Sequence, residues 1–121
     1  MKRDMDLILE ILRSQEEERK IDGSYSEDAV VYHAQLLSDA GLIEAEFLKG
    51  IGGTARGAAI IRLTWEGHEF LDATRDQSIW EKTKKNVIKP GSSFTFGLIV
   101  EYLKHEARSR IAPLLGLPPN P

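Results

Sequence analysis

The sequence contains no cysteine, and no apolar run in it is long enough to cross a membrane. The absence of cysteine excludes disulfide bonds, thiolate zinc sites and a thiol nucleophile. A membrane-spanning helix needs about 20 consecutive apolar residues, and the charged N-terminal segment lacks the apolar core of a signal peptide. We therefore expect a soluble, cytoplasmic protein without a membrane partner.

Sequence patterns that carry catalysis or ligand binding are also missing. No GxSxG, HExxH or HxxxH motif is present, so no nucleophile and no metal site are indicated. The glycine-rich stretch of residues 50–57 lacks the GxxxxGK[ST] spacing, and a strand follows it where a phosphate-binding loop requires a helix. We expect no enzyme activity, no cofactor, no metal and no small-molecule ligand.

Charge is distributed unevenly along the chain, which has a formal net charge of −3. Residues 1–74 carry 8 Lys and Arg against 15 Asp and Glu, whereas residues 75–121 carry 8 against 4. An acidic surface repels the phosphate backbone, so any nucleic-acid contact should come from the C-terminal half or from isolated basic side chains. The length of 121 residues predicts one domain over residues 1–112, followed by a proline-rich tail over residues 113–121.

Apolar periodicity predicts helices over residues 4–19 and 26–40, and residues 20–22 between them are compatible with a short edge strand. In the second helix, Ser26 suits the N-cap and Gly41 suits the left-handed position that ends a helix. Its buried stripe is predicted to comprise Ala29, Val30, His33, Leu36, Leu37 and Ala40. Its solvent side is predicted to carry Asp28, Val31, Tyr32, Gln35, Ser38 and Asp39.

Alternation of apolar and polar residues predicts a strand over residues 43–48 and a returning strand over residues 59–63, with Ile61 and Leu63 on one face. Thr64 is a suitable cap for a third helix. That helix either continues past Asp76 or breaks there, and Pro90 ends it. Ser93 or Thr95 is expected to cap a last helix.

This order of elements predicts an α+β fold, winged-helix-like, with additional C-terminal helices. Residues 36–43 resemble the end of a winged-helix recognition helix that runs into the first wing strand. Residues 63–71 resemble the segment after the second wing strand, where a threonine caps a helix and a glycine three residues later permits close packing. Only about six residues separate the first two helices, so one helix of a full helix-turn-helix is missing or reduced to a turn.

Four segments also resemble a family of small bacterial and phage proteins, the domain of unknown function 2513. They are residues 1–8 (MKRDMDLI), 32–37 (YHAQLL), 40–43 (AGLI) and 63–72 (LTWEGHEFLD). The resemblance covers roughly residues 1–103. It implies a bacterial or prophage origin, and it implies no particular activity.

Two groups of side chains are candidate contact residues. Basic side chains of the wing and of the helix before Pro90 are candidate nucleic-acid contacts: Lys49, Arg56, Arg62, Lys82, Lys84, Lys85 and Lys89. Tyr32 and Gln35 form a candidate contact face on the second helix, but that helix carries three carboxylates and no cation, which disfavours entry into a major groove. Among the remaining residues of interest, His33 is predicted to be a hydrogen-bonded core residue, His68 to pair with Asp72, and Trp65 and Trp80 to anchor the core.

Two classes of function remain open. The first is a DNA-associated regulator or accessory factor that touches nucleic acid through the wing and the lysine-rich helix. The alternative is a protein-interaction module in which the C-terminal helices form a homodimer or dock a partner. The fold and the resemblance to phage proteins place the first class slightly ahead.

Overall fold

The computed structural model describes residues 1–86, 96–111 and 116. In chain order the elements are α1 (Met5–Glu16), α2 (Glu27–Asp39), β1 (Ile43–Lys49), a 3-10 turn (Ile51–Gly53), β2 (Ala55–Leu63), α3 (Trp65–Arg75), α4 (Gln77–Asn86) and α5 (Phe96–Ile111). The predicted α+β fold is confirmed, and the order helix, helix, hairpin, helix is compatible with the winged-helix-like arrangement.

The chain divides into two compact units, Met1–His68 and Glu69–Pro121, and each is described by itself. The prediction of one domain over residues 1–112 stays a prediction. Features predicted at Lys89, at Pro90, at the Ser93 or Thr95 cap and over most of the tail of residues 113–121 lie outside the described residues.

The first helix is shorter than predicted and ends in an unusual conformation. Asp4 caps its start, because its carboxylate accepts hydrogen bonds from the backbone N–H groups of Asp6 (2.9 Å) and Leu7 (3.3 Å). Its end is set by Glu18, whose φ of 54° is left-handed, and by the Arg19 N–H, which donates to the Ser14 carbonyl at 3.0 Å. Residues 20–22, whose sequence is compatible with a short edge strand, do not form a strand.

Both predicted ends of α2 are confirmed. The Ser26 hydroxyl accepts a hydrogen bond from the Ala29 N–H at 3.1 Å. Gly41 has a φ of 76°, and its N–H donates to the Ser38 carbonyl while the Leu42 N–H donates to the Leu37 carbonyl, both at 3.0 Å. This pair of bonds is the Schellman motif, which only a residue tolerant of left-handed geometry closes without strain.

The buried stripe of α2 was predicted with the wrong phase. Val31, His33, Ala34 and Leu37 are buried, whereas Ala40 is exposed and Ala29, Val30 and Leu36 are half-buried. Val31, predicted to face solvent, is only 5% exposed. The physical reason is that α2 packs against α1, β1 and β2, so its core face is wider than a single helical stripe.

The two strands form an antiparallel hairpin, called the wing here (Ile43–Leu63). Its returning strand begins at Ala55, four residues earlier than predicted, which shortens the glycine-rich tip. Ile43 pairs with Leu63 and Glu44 with Arg62, but Ala45 pairs with Ile60. Ile61 is therefore an extra, bulged residue, and it is 57% exposed. The expectation that Ile61 and Leu63 lie on one face is wrong, because Leu63 is buried and the bulge at Ile61 shifts the phase of side-chain alternation.

Thr64 and Gly67 join α3 to the turn after α2. The Thr64 hydroxyl donates to the Gly41 carbonyl at 2.6 Å and accepts from the Gly67 N–H at 3.1 Å, which confirms the predicted cap. A Cβ added at Gly67 would collide with the Leu42 carbonyl oxygen. The close approach of helix and turn therefore requires a glycine at this position.

The core of the first unit lies between α1, α2 and the wing, and its large buried side chains come mainly from α1: Leu7, Ile8, Ile11 and Leu12. His33 is buried within it as predicted. Its Nε2 accepts from the Asp4 N–H at 2.8 Å, so the ring carries its proton on Nδ1, which donates to the Ala29 carbonyl at 2.7 Å.

In the second unit, helix α3 ends at Arg75 and α4 begins at Gln77. The Asp76 carboxylate caps α4 by accepting hydrogen bonds from the N–H groups of Ser78 (3.0 Å) and Ile79 (3.1 Å). Helix α4 packs against α5, and Ile79, Ile99 and Leu103 are buried. The prediction that Trp65 anchors the core is wrong, since this side chain is 73% exposed at the first position of α3.

Candidate functional site

A surface groove of about 600 Å³ lies between α2 and the wing. It is called the α2–wing groove here, and its lining residues are Met1, Glu27, Asp28, Val31, Tyr32, Gln35, Thr54, Ala55 and Arg56. The sequence placed Tyr32 and Gln35 in one candidate group and Arg56 in another. The fold brings these three residues together on a single surface.

One wall of the groove is held in place by the buried core. The ring of Tyr32 contacts the ring of His33 edge to face, with centroids 5.3 Å apart. His33 is in turn fixed by its hydrogen bonds to the backbone of Asp4 and Ala29. Tyr32 is therefore a half-exposed aromatic side chain on a rigid support, which is a favourable arrangement for a binding hot spot.

The opposite wall is the base of the wing tip, where Arg56 lies across the backbone of Gly50. A Cβ at Gly50 would fall 2.6 Å from Cδ and 2.9 Å from Cγ of Arg56, so a side chain at this position would require the Arg56 stem to move. The tip itself is closed by the Gly50 N–H donating to Thr54 (2.8 Å) and the Gly53 N–H donating to Gly50 (3.2 Å). Gly50 thus lets the aliphatic stem of Arg56 rest on the turn.

The charges of the groove are mixed and lean negative. Glu27 and Asp28 are exposed in the first turn of α2, where the positive end of the helix dipole favours them. Arg56 supplies the only cationic side chain among the described lining residues. A surface with two carboxylates and one guanidinium is poorly suited to a phosphate backbone, but it suits a protein surface that offers both charges.

The other basic residues predicted for the wing lie elsewhere. Arg62 forms an ion pair with Glu44 at 2.6 Å and lines a different groove from Arg56. Lys49 is exposed at the end of β1 and lines neither groove. The predicted basic wing is therefore not one continuous cationic face.

The lysine-rich helix is partly neutralised within its own unit. Lys82 lies 3.7 Å from the Glu106 carboxylate, and Lys84 lies 3.4 Å from that of Glu81. Lys85 is exposed, and Lys89 lies outside the described residues. These contacts leave less unpaired positive charge on α4 than the sequence alone indicates.

The histidine pairing predicted on α3 is wrong. His68 Nδ1 lies 3.9 Å from the Glu16 carboxylate, whereas Asp72 pairs with Arg75 at 2.8 Å. Within residues 1–86 and 96–111, no three His, Asp or Glu side chains cluster as metal ligands would. No helix in this part of the chain is both long and apolar enough to span a membrane.

Six lining residues of the α2–wing groove were not among the contact residues predicted from the sequence: Met1, Glu27, Asp28, Val31, Thr54 and Ala55. Thr54 and Ala55 were assigned to a loop, and Val31 was placed on the solvent side of its helix. The available signal was the run Ala29-Val30-Val31-Tyr32, whose apolar character continues around the helix beyond one stripe. Such a run indicates contacts on more than one side.

Comparison with known proteins gives two matches. A family model described as "Hypothetical protein (DUF2513)" matches residues 2–93. An uncharacterized protein of Haemophilus influenzae is 32% identical over 124 residues, an alignment that covers 96% of this chain and 100% of that relative. No solved structure matches the chain.

Proposed function

We propose that this chain, which belongs to the DUF2513 family of hypothetical proteins, is a non-enzymatic protein-interaction module whose docking surface is the α2–wing groove. A segment of a protein partner lies in the groove and contacts Tyr32, Gln35 and Arg56. The sequence analysis gave a protein-interaction module as the alternative function, with the C-terminal helices as the docking surface. The proposal keeps the docking of a partner but assigns it to the first unit.

The observation that carries the proposal is the convergence of Tyr32, Gln35 and Arg56 on one concave surface. Tyr32 and Arg56 are of residue types enriched among binding hot spots, and the Gln35 amide can both donate and accept hydrogen bonds. Tyr32 is preorganised by the ring of His33, and the stem of Arg56 lies against the backbone of Gly50. Preorganised side chains lose little conformational entropy when a partner binds.

The sign of the charge favours a protein over a nucleic acid. The carboxylates of Glu27 and Asp28 stand beside the contact residues, and α2 contributes no lysine or arginine. A phosphate backbone would be repelled at the place where a recognition helix has to approach it most closely. The groove would attract a partner segment that places a basic residue near Glu27 and Asp28 and an acidic residue near Arg56.

The test is capture of a partner from nuclease-treated extract of the host cell by the tagged full-length protein. Tyr32→Ala and Arg56→Glu should each reduce the captured protein by about tenfold, as expected for the loss of a hot-spot contact of roughly 1.4 kcal/mol. Arg13→Glu is the matched control, because Arg13 is exposed on α1 and lines no part of the groove. Equal capture by all three variants would contradict the proposal.

The second candidate, a DNA-associated regulator or accessory factor, is favoured by one observation. Lys49 and Arg56 are exposed on either side of the ordered wing tip, where they could lie against a phosphate backbone. That function predicts a shift of duplex DNA by micromolar protein at about 50 mM salt, lost steeply as salt is added. It also predicts loss of the shift in a Lys82→Glu, Lys84→Glu, Lys85→Glu variant. The docking function predicts no shift.

A further inference from the structure

The wing tip, residues 48–53, carries large apolar side chains that are turned to solvent. Ile51 is 96% exposed, the highest value of any large apolar side chain in the described part of the chain, and Leu48 is 73% exposed. The tip is nevertheless ordered by its backbone hydrogen bonds and by the left-handed conformations of Gly52 and Gly53. Exposed apolar patches mark interaction sites, and an ordered segment loses little conformational entropy on binding.

Opposite charges flank this apolar apex on the two faces of β1. Lys49 is exposed two residues before Ile51, and Glu46 is exposed three residues before Lys49. Strand β1 is regular, because both extra residues of the ladder, Arg56 and Ile61, belong to β2. Residues an odd number of positions apart on a regular strand lie on opposite faces. The side chains of Lys49 and Glu46 therefore leave the wing on opposite sides.

The α2–wing groove carries the complementary groups on its two walls. Its α2 wall combines the carboxylates of Glu27 and Asp28 with the side chains of Val31 and Tyr32. Because these residues are three to five positions apart on one helix, carboxylates and apolar surface are about one helical turn, or 5–6 Å, apart. The wing wall carries the guanidinium of Arg56.

The spacing in the wing tip matches the spacing in the groove. Lys49 and Ile51 are separated by at most about 7 Å along the chain, a distance similar to that between the carboxylates and the apolar surface of the α2 wall. A wing that enters the groove with Ile51 on this apolar surface can bring Lys49 to the carboxylates. Glu46, on its other face, is then directed to Arg56. The match depends on where the charges stand and not on the net charge of the groove.

The wing tip does not occupy the groove of its own molecule, since Ile51 is almost fully exposed and is not among the lining residues. Residues 54–56, which follow the tip directly, do line the groove. The inserting segment and the receiving groove are therefore neighbours on the surface. A two-fold axis beside them lets each of two copies place its wing tip in the groove of the other, and such a contact closes without leaving a free site.

We propose that the segment bound in the α2–wing groove is the wing tip of a second copy of this chain, and that the two copies form a reciprocal dimer. Ile51 of each copy packs on the apolar surface of the α2 wall of the other. Lys49 approaches the two carboxylates of that wall, and Glu46 approaches Arg56. This inference rests on the docking function proposed for the groove, and it names the partner.

The test is sedimentation equilibrium of the full-length protein and of two charge-reversed variants, Arg56→Glu and Glu46→Arg. Each variant alone brings like charges together at both symmetric contacts of the dimer. Its dissociation constant should therefore rise by at least about tenfold, a change of roughly 1.4 kcal/mol. In an equal mixture of the two variants, both contacts of a mixed dimer join opposite charges again. The mixture should dimerise about as tightly as the wild type, a rescue that no change within one chain can produce.

Two further variants separate the wing tip from other surfaces. Ile51→Asp should also weaken the dimer at least about tenfold, because it places a carboxylate at the apolar apex. Arg13→Glu, at an exposed position of α1 outside the groove, should change the dissociation constant less than about twofold, since distant surface charges are screened by salt.

Three results would overturn the inference: a wild-type protein that stays monomeric up to about 100 μM, a dimer that Ile51→Asp leaves intact, or a mixture that does not restore the dimer. A dimer of the second kind would form through another surface, such as the C-terminal helices. The docking function itself is tested separately by the capture experiment. A monomeric protein that captures a different protein through Tyr32 and Arg56 would support docking and contradict only the dimer.

Discussion

Replacing Gly67 with alanine perturbs the junction between α3 and the turn that ends α2. The added Cβ would collide with the carbonyl oxygen of Leu42. Helix propensity alone predicts the opposite effect, since alanine is more favourable than glycine inside a helix by about 1 kcal/mol. The sign of the change in stability therefore distinguishes local preference from close packing.

The magnitude follows from the contacts that must stretch when α3 moves away to relieve the collision. Two hydrogen bonds are affected, from the Thr64 N–H to the Leu42 carbonyl (3.0 Å) and from the Thr64 hydroxyl to the Gly41 carbonyl (2.6 Å). Each contributes about 1 kcal/mol, and overpacking costs about 1–3 kcal/mol more. After the gain in helix propensity is subtracted, the free energy of unfolding should fall by about 2–4 kcal/mol.

Urea and thermal unfolding followed by circular dichroism measure this change, and we expect Tm to fall by roughly 10 °C. Gly57→Ala is the matched control, because a Cβ there would lie 3.5 Å from that of Leu48, an ordinary contact. The control should be neutral or slightly stabilising. A Gly67→Ala protein that is as stable as the wild type would refute the close-packing argument.

Three further predictions concern single side chains. Glu18→Gly should stabilise the protein by about 1 kcal/mol, because it relieves the strain of a left-handed backbone at the end of α1. Glu17→Gly is the control and should not stabilise the protein, because Glu17 has a right-handed backbone. Equal effects of the two changes would refute the argument from strain. The hydrogen bond from Arg19 lowers the pKa of Glu10 from 4.5 to about 2. The stabilisation from this interaction is therefore complete above pH 4.5 and is lost as the pH falls towards 2. Glu10→Gln should be less stable than the wild type at neutral pH, and the two proteins should become equally stable in acid. A difference in stability that does not change with pH would contradict this. Trp65→Ala should change stability by less than about 0.5 kcal/mol, since the side chain is exposed, and a larger loss in urea unfolding would place it in the core.

The ends of the helices could be predicted because their signals are local. Ser26, Gly41 and Thr64 each act on backbone groups within a few residues along the chain, so spacing in the sequence is enough to identify them. Gly67 was identified through the resemblance of residues 63–71 to the segment after the second strand of winged-helix proteins. Whether the helix would break at Asp76 could not be predicted, because this depends on packing within the second unit.

The errors arose where distant parts of the chain decide the outcome. Val31 was placed on the wrong side of α2, because apolar residues surround much of that helix and only its contacts with α1 and both strands fix the phase. No local signal marks the bulge at Ile61, which is a property of how β1 and β2 pair. Glu18 takes the conformation usual for glycine, so nothing in its residue type marks the end of α1.

The candidate site was predicted in its parts but not in its arrangement. Tyr32, Gln35 and Arg56 were all identified as contact residues, yet Arg56 was grouped with Arg62, which lines a different groove. Residues six positions apart on a regular strand would share a face. The bulge and the turn at Gly50 direct these two arginines to different surfaces.

Site-specific photo-crosslinking at position 32 in the host cell tests the protein-docking role of the α2–wing groove most directly. A photoreactive amino acid replaces Tyr32, and a second protein carries it at position 85, where Lys85 is exposed in the other unit. Our account predicts one discrete protein adduct from position 32, which Arg56→Glu reduces about tenfold and Arg13→Glu preserves. The protein with the photoreactive group at position 85 should not form this adduct. A crosslink to nucleic acid, or the same adducts from both positions, would contradict it.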